Sequence, residues 1–243
     1  MLTFVAFFRT LLFFLLFVPF TIIWALVSSI FALPLATKAR FYLIIWCWSW
    51  VGMQLIRWVV GIKVRVEGLE HLPKQGFIVA ANHQSAWETL YLQLLLPPQT
   101  QVIKKSLLKI PFFGWAFRLT SPIAIDRTDG KAALSQIIHQ GQNRLNQGLN
   151  VLIFPEGTRT DWHSPGRYKQ GAVSLAAATK APLVHLIHNS GKYWRNKGFI
   201  KYPGTIGVKI LPAIEVQPGK LSTPLKQLQQ QLNTELPKLN QRF

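Results

Sequence analysis

The sequence predicts an α/β protein: a mainly parallel mixed sheet flanked by helices, preceded by an N-terminal two-helix membrane hairpin. Two observations predict it. From Gly61 onward, short strand-like segments alternate with helical ones, the pattern of a parallel sheet with crossover helices. Before Gly61 the chain is apolar and carries no carboxylate at all, the first being Glu67. The division falls between 1–60, the hairpin, and 61–243, the α/β domain.

No charge appears between Arg9 and Lys38, an interval of Leu, Phe, Ile and Val. A bilayer-crossing helix needs ~20 apolar residues, and this run is long enough. It is also too long for the ~7–15-residue core of a signal peptide. Pro19 is placed to kink the helix and Pro34 to end it. A second uncharged run of 16 residues lies between Arg40 and Arg57, short for a full crossing. Its aromatic residues Trp46, Trp48 and Trp50, with Trp58 just beyond, suit the headgroup level. Arg9, the Lys38/Arg40 turn and Arg57 leave neither side of a two-pass hairpin free of cations. A hairpin dipping into one leaflet, with all cations on the cytoplasmic side, removes that conflict and is favoured over two full spans.

In the remainder, KVRVEG (63–68) alternates as a strand does, and GFIVAAN (76–82) is a short apolar run bounded by turn residues. WETLYLQLLL (87–96) reads as a helix stopped by Pro97 and Pro98. Further strands fall at 101–105, 122–126, 150–157, 181–187 and 204–214. Helical spacing marks 131–148, 172–180 and the amphipathic segment 221–239.

Lys and Arg total 27 against 9 Asp and Glu, a formal net charge of +18. So large an excess calls for an anionic partner. The apolar fraction of 49% and the 9 Trp select membrane phospholipids over nucleic acid. Cys47 is the lone cysteine, so no internal disulfide forms and a reduced, cytoplasm-facing domain is expected. No cysteine cluster supports a metal site, and His185 and His188 lie three apart on a strand, hence on opposite faces. No Walker-type loop or dinucleotide fingerprint is present.

In an α/β sheet, sites form at the carboxyl ends of strands. Three segments sit there. In NHQSAWE, His83 follows a strand and Glu88 comes five residues later, in the first turn of a helix. A carboxylate on one imidazole nitrogen would fix the tautomer and leave the other as a base. The same letters also fit a capping box, with Glu88 reaching back to the Ser85 amide, and the sequence leaves both readings open. In IAIDRTDG, Arg127 stands just past a strand, where a guanidinium can grip phosphate or merely face solvent. In FPEGTR, Pro155 and Gly157 make a tight turn, Arg159 and Thr158 offer phosphate ligands, and Glu156 is placed to orient an arginine.

In that order, NHQSAWE, IDR, FPEGTR and APLVH resemble the motifs of the glycerolipid acyltransferase family. KKSLLKIPFFGWA (104–116) is similar to its segment between the first two motifs, and the likeness runs from about Gly61 to Glu215. The resemblance implies that His83 is the general base and Glu88 its partner. It implies that Arg127, Glu156, Gly157, Thr158 and Arg159, with Lys104 and Lys105, bind the substrates. The activity implied is transfer of a fatty acyl group from acyl-CoA or acyl-carrier protein to 1-acylglycerol-3-phosphate, forming phosphatidic acid, at the inner membrane and with no cofactor beyond the thioester. Glycerol-3-phosphate or another lysophospholipid is the alternative acceptor, and a non-catalytic anionic-membrane binder the alternative class. Two positions depart from the family pattern: Glu88 stands where Asp is usual, and His185 where many relatives carry a second proline.

Overall fold

A computed structural model describes residues 2–126 and 129–243. The apolar start folds as helix α1 (Leu2–Ala32), about 46 Å long at 1.5 Å per residue. Pro19 lies inside it and does not stop it. Pro34 falls in the turn that follows. Arg40 caps the end of α1 by donating to the Ala32 and Leu33 carbonyls at 3.1 and 3.0 Å. Helix α2 (Thr37–Val60) then runs 24 residues. It is longer than the uncharged 16-residue run because Lys38, Arg40 and Arg57 all join the helix. Gly61, at φ 87°, ends it in the left-handed region. Both helices are long and apolar enough to cross a membrane, by length and composition. Phe4, Leu15, Ile23 and Ile30 of α1 are well exposed, an apolar face suited to lipid rather than water.

Seven strands follow: β1 (Ile62–Glu67), β2 (Ile78–Ala81), β3 (Gln99–Lys104), β4 (Ile123–Ile125), β5 (Asn150–Ile153), β6 (Leu183–His188) and β7 (Gly204–Ile210). They form one sheet in the order β1-β7-β6-β2-β5-β3-β4. Every pair is parallel except β6–β7, so the sheet is mixed and mainly parallel, as expected. Helices α3 (Trp87–Leu95), α4 (Phe113–Arg118), α5 (Gly130–Asn146), α6 (Gly171–Thr179) and α7 (Ser222–Arg242) complete the chain. Of these, only α4 lacked a periodic signal of its own: six residues are too few to show one.

The two faces of the sheet have separate cores, sorted by strand alternation. Ile78 and Ala80 pack with Val173 and Leu175 of α6 and Leu232 of α7. Phe77, Val79 and Ala81 face the other way, onto Trp87 and Leu90 of α3, Met53 and Ile56 of α2, and Phe13 and Phe17 of α1. The hairpin is therefore part of the layer that covers one face of the sheet. Phe13 stands edge-on to Trp194 at 5.4 Å, and Phe17 stacks on Trp48 at 5.4 Å.

Candidate active site

β2 lies between β5 and β6, so three adjacent parallel strands release their loops at one edge. His83 follows β2, the Phe154–Arg159 turn follows β5, and Ser190 follows β6. Asn82 locks the β2 loop to the β6 loop: its Nδ2 donates to the His188 carbonyl and its Oδ1 accepts the His188 amide, both at 2.9 Å.

His83 Nδ1 sits 2.9 Å from Glu88 Oε1. A carboxylate only accepts, so this bond places the proton on Nδ1. The Nε2 lone pair is left open, with no hydrogen-bond partner among the described residues. The ring stacks on Phe154 with centroids 4.2 Å apart and is partly exposed, as a base that meets a substrate must be.

Glu88 is fully buried. Its Oε1 also accepts the Gln84 and Ser85 amides at 2.7 and 2.6 Å. Its Oε2 accepts the hydroxyls of Ser85 and Ser190, the latter at 2.8 Å. The capping-box contact and the histidine contact thus coexist on one carboxylate, and the two readings of the sequence are both realised. Burial pushes the Glu88 pKa up. The charges of His188 and His83 and the hydrogen bonds from His83 and Ser85 outweigh it and hold the group well below the usual carboxylate range. The longer side chain does not misplace the oxygen, because these donors fix both ends of the carboxylate.

Glu156 is buried beside this pair. Its Oε2 accepts the His83 amide at 2.5 Å and its Oε1 the Thr160 hydroxyl at 3.2 Å. It orients no arginine among the described residues; it braces the backbone that carries the histidine. Burial pushes its pKa up to about 8, against the opposing pull of the His83 amide, Thr160 and Gly166. The Thr160 amide returns to the His83 carbonyl at 2.8 Å, so the two motif loops are laced together.

Gly157 takes φ 75°, the left-handed conformation its turn requires. Thr158 and Arg159 are exposed. Arg159 lines a cavity of about 330 Å³ with Gln84, Asp161, Arg195 and Lys197. A second cavity, of about 280 Å³, lies behind Phe154 and is walled by Val102, Ala133, Leu134, Ile137 and Ile153, with Lys169 among its few polar groups. Lys104 and Lys105 are exposed at the end of β3 and line neither of these cavities. Arg127 lies outside the described residues.

Sequence reasoning singled out neither Ser190 nor Arg195 and Lys197. Ser190 is separated from Glu88 by 102 residues. Its only signal is the Asn-Ser-Gly turn at the end of a buried strand, which marks a loop but not its neighbour. His185, the departure from the family's last motif, is buried and bonded to Gln231 at 2.9 Å and to the Tyr168 hydroxyl at 3.2 Å. Burial lowers its pKa to about 4, so it stays neutral and structural.

A family model described as Acyltransferase matches residues 63–188, which contain His83, Glu88 and Arg159. The chain is 42% identical over 209 residues to the 1-acyl-sn-glycerol-3-phosphate acyltransferase of Pseudomonas aeruginosa, covering 86% of this chain and 81% of that one. It is 30% identical to the mouse 1-acyl-sn-glycerol-3-phosphate acyltransferase alpha, over 80% of this chain and 70% of that one. Its fold matches the crystal structure of the 1-acyl-sn-glycerophosphate acyltransferase from Thermotoga maritima with a TM-score of 0.78, at 21% identity and over 98% of this chain and 99% of that one. A histidine–carboxylate pair at the strand ends, within a matched segment spanning more than half of the chain, is carried by a member of the acyltransferase family, and this chain belongs to it.

Proposed function

We propose that the protein acylates the free hydroxyl of 1-acylglycerol-3-phosphate with the acyl group of a thioester, acyl-CoA or acyl-carrier protein, forming phosphatidic acid. The observation that carries the reading is His83, fixed through Nδ1 on buried Glu88 with Nε2 open. The names of the relatives, which cover most of this chain, support the acceptor.

His83 Nε2 takes the proton of the acceptor hydroxyl as its oxygen attacks the thioester carbonyl. The carbon–sulfur bond then breaks, and the imidazolium returns the proton to the departing thiolate. An ester and a free thiol result, with no covalent acyl-enzyme and no cofactor. Glu88, held ionised, stabilises the imidazolium without taking its proton. Arg159, with Gly157 and Thr158 shaping its turn, meets the acceptor phosphate in the cationic cavity. Glu156 acts one step back, through the His83 backbone. The apolar cavity behind Phe154 suits an acyl chain by its lining. Arg127, expected as a phosphate ligand from its sequence motif, is kept as a second one.

Residues 1–60 serve as the membrane hairpin and 61–243 as the catalytic domain. The hairpin's exposed Phe, Leu and Ile side chains sit in one leaflet, and its cations face the cytoplasmic phospholipid headgroups of the inner membrane. The decisive experiment supplies the detergent-solubilised protein with labelled acyl-CoA and a panel of lysolipids and glycerol-3-phosphate. Lysophosphatidate should be the best acceptor, and His83→Ala should lower the rate by about 10²–10⁴-fold while the protein stays folded. Substantial activity in the folded variant refutes the assignment.

A further inference from the structure

The cationic cavity is also lined by residues that belong to none of the sequence motifs. Arg195 and Lys197 line it, together with Arg159, from the loop between β6 and β7. Asp161 is the one carboxylate in the lining, and it accepts the His163 amide of its own turn at 2.9 Å. Three cations against one carboxylate leave a net excess of two positive charges, more than a single arginine motif requires.

The loop is built, not slack. Lys201 Nζ donates to the Gly198 and Arg195 carbonyls at 2.6 and 3.4 Å, closing the loop on itself. The Lys201 amide donates to Thr10 Oγ1 of α1 at 2.9 Å. Phe199 packs between Phe7 and Phe14 of the same helix, at 5.5 and 5.8 Å. The Arg195 guanidinium lies over Tyr202 at 5.5 Å. Burial and the charge of Arg159 lower the Lys201 pKa to about 8, which places that lysine in the field of the motif arginine.

Gln84 of the first motif also lines the cavity. Gln84, directly after His83, is buried; its Oε1 accepts the Gly191 amide at 3.0 Å, and its Nε2 has no partner among the described residues.

We propose that Arg195 and Lys197 form, with Arg159, a three-cation site for the phosphomonoester of the acyl acceptor, set beside His83 by Gln84 and fastened to the membrane helix through Phe199 and Thr10. A phosphomonoester presents three strong acceptor oxygens and nearly two charges, and three cations match it better than one arginine does. This rests on the proposed acylation of lysophosphatidate. The acyl-CoA donor carries phosphates of its own, and the test separates the two sources.

The experiment measures steady-state kinetics of the full-length protein, Arg195→Ala, Lys197→Ala and the double variant, varying lysophosphatidate and acyl-CoA separately, with 1-monoacylglycerol as an acceptor that lacks the phosphate. Each single variant should raise the acceptor KM by about tenfold and the double by more, with the donor KM unchanged and the slow monoacylglycerol rate equal to that of the parent. Arg195→Lys should recover part of the loss, because it keeps the charge and loses the fork. An unchanged acceptor KM, or a rise confined to the donor KM, overturns the proposal. A parent protein that does not use lysophosphatidate overturns the underlying activity instead, so the two failures are distinct.

Discussion

Ser190 donates its hydroxyl to Glu88 Oε2 at 2.8 Å, and the Ser85 hydroxyl meets the same oxygen. Glu88 Oε1 is thereby left to face His83 Nδ1. The two hydroxyls also lie 2.8 Å from each other, so the carboxylate cannot swing away without leaving one buried hydroxyl proton with no acceptor. A hydrogen bond to a charged group contributes roughly 1.5–3 kcal/mol. Ser190→Ala should therefore lower kcat by about 10–100-fold with little change in either KM, since the loss falls on the aim of the base. Ser190→Thr, which keeps the hydroxyl, should recover much of it. A Ser190→Ala enzyme with the parent kcat would show that Ser85 alone suffices.

The residue at 88 is tuned to its length. Glu88→Asp withdraws the carboxylate by ~1.5 Å, so it cannot reach Nδ1 and the Ser190 hydroxyl together. The rate should drop by about tenfold or more, although aspartate is the residue most of the family uses. Glu88→Gln should be worse, by about 10⁴-fold, because a neutral amide cannot stabilise the imidazolium that forms when His83 takes the proton. Both are read from kcat at saturating donor and acceptor.

How far the sequence reaches is visible in this same cluster. The strands around it were legible because apolar alternation and turn residues are local signals: Ile78 to Ala81 read as a buried strand and are one. His83 and Glu88 were legible because five residues on one loop and helix start must be neighbours. Ser190 and Glu156 were not. Their contacts are set by which strands lie beside β2, a property of crossover topology that no local pattern encodes. Glu156 was expected to turn toward an arginine, and it turns to the His83 amide because that amide is the nearest donor in a buried pocket. The length of α2 was also underread, since the flanking cations join the helix rather than bounding it.

The apolar cavity behind Phe154 predicts a chain-length effect. Ala133 and Leu134 of α5 line it, on the face that meets β5. Leu134→Trp fills much of its roughly 280 Å³. The variant should prefer shorter acyl thioesters than the parent, with a rise in KM for long chains and none for short ones. Competition between donors of different length, read by mass spectrometry of the product, checks this; an unshifted product distribution places the acyl chain elsewhere.

Packing behind that cavity gives a stability test. A Cβ at Gly141 of α5 would stand 2.6 Å from Leu175 Cδ2 and 2.8 Å from Cδ1, and Leu175 is fully buried in α6. Glycine is there because the two helices touch. Gly141→Ala gains helix propensity but overpacks the core, a net loss of about 1–3 kcal/mol. At this chain length that is about 2–4 °C in Tm per kcal/mol, measurable by thermal unfolding in detergent.

Glu156 makes the stability of the site depend on pH in a direction opposite to an ordinary carboxylate. Its pKa rises from 4.5 to about 8 on folding, through burial. Between those values the native chain holds a proton that the unfolded chain releases, so stability falls as pH rises. The contribution is complete below the unfolded value and is lost as pH passes about 8. Glu156→Gln mimics the protonated form, with one oxygen left to accept the His83 amide. Its Tm should match the parent near pH 5 and exceed it increasingly toward pH 9, at constant salt. Glu88 and His185 titrate below this window and remain in both proteins, so they cancel in the difference. Parallel Tm curves from pH 5 to 9 would mean that Glu156 is already ionised in the folded chain, and that the three donors around it, not burial, set its charge.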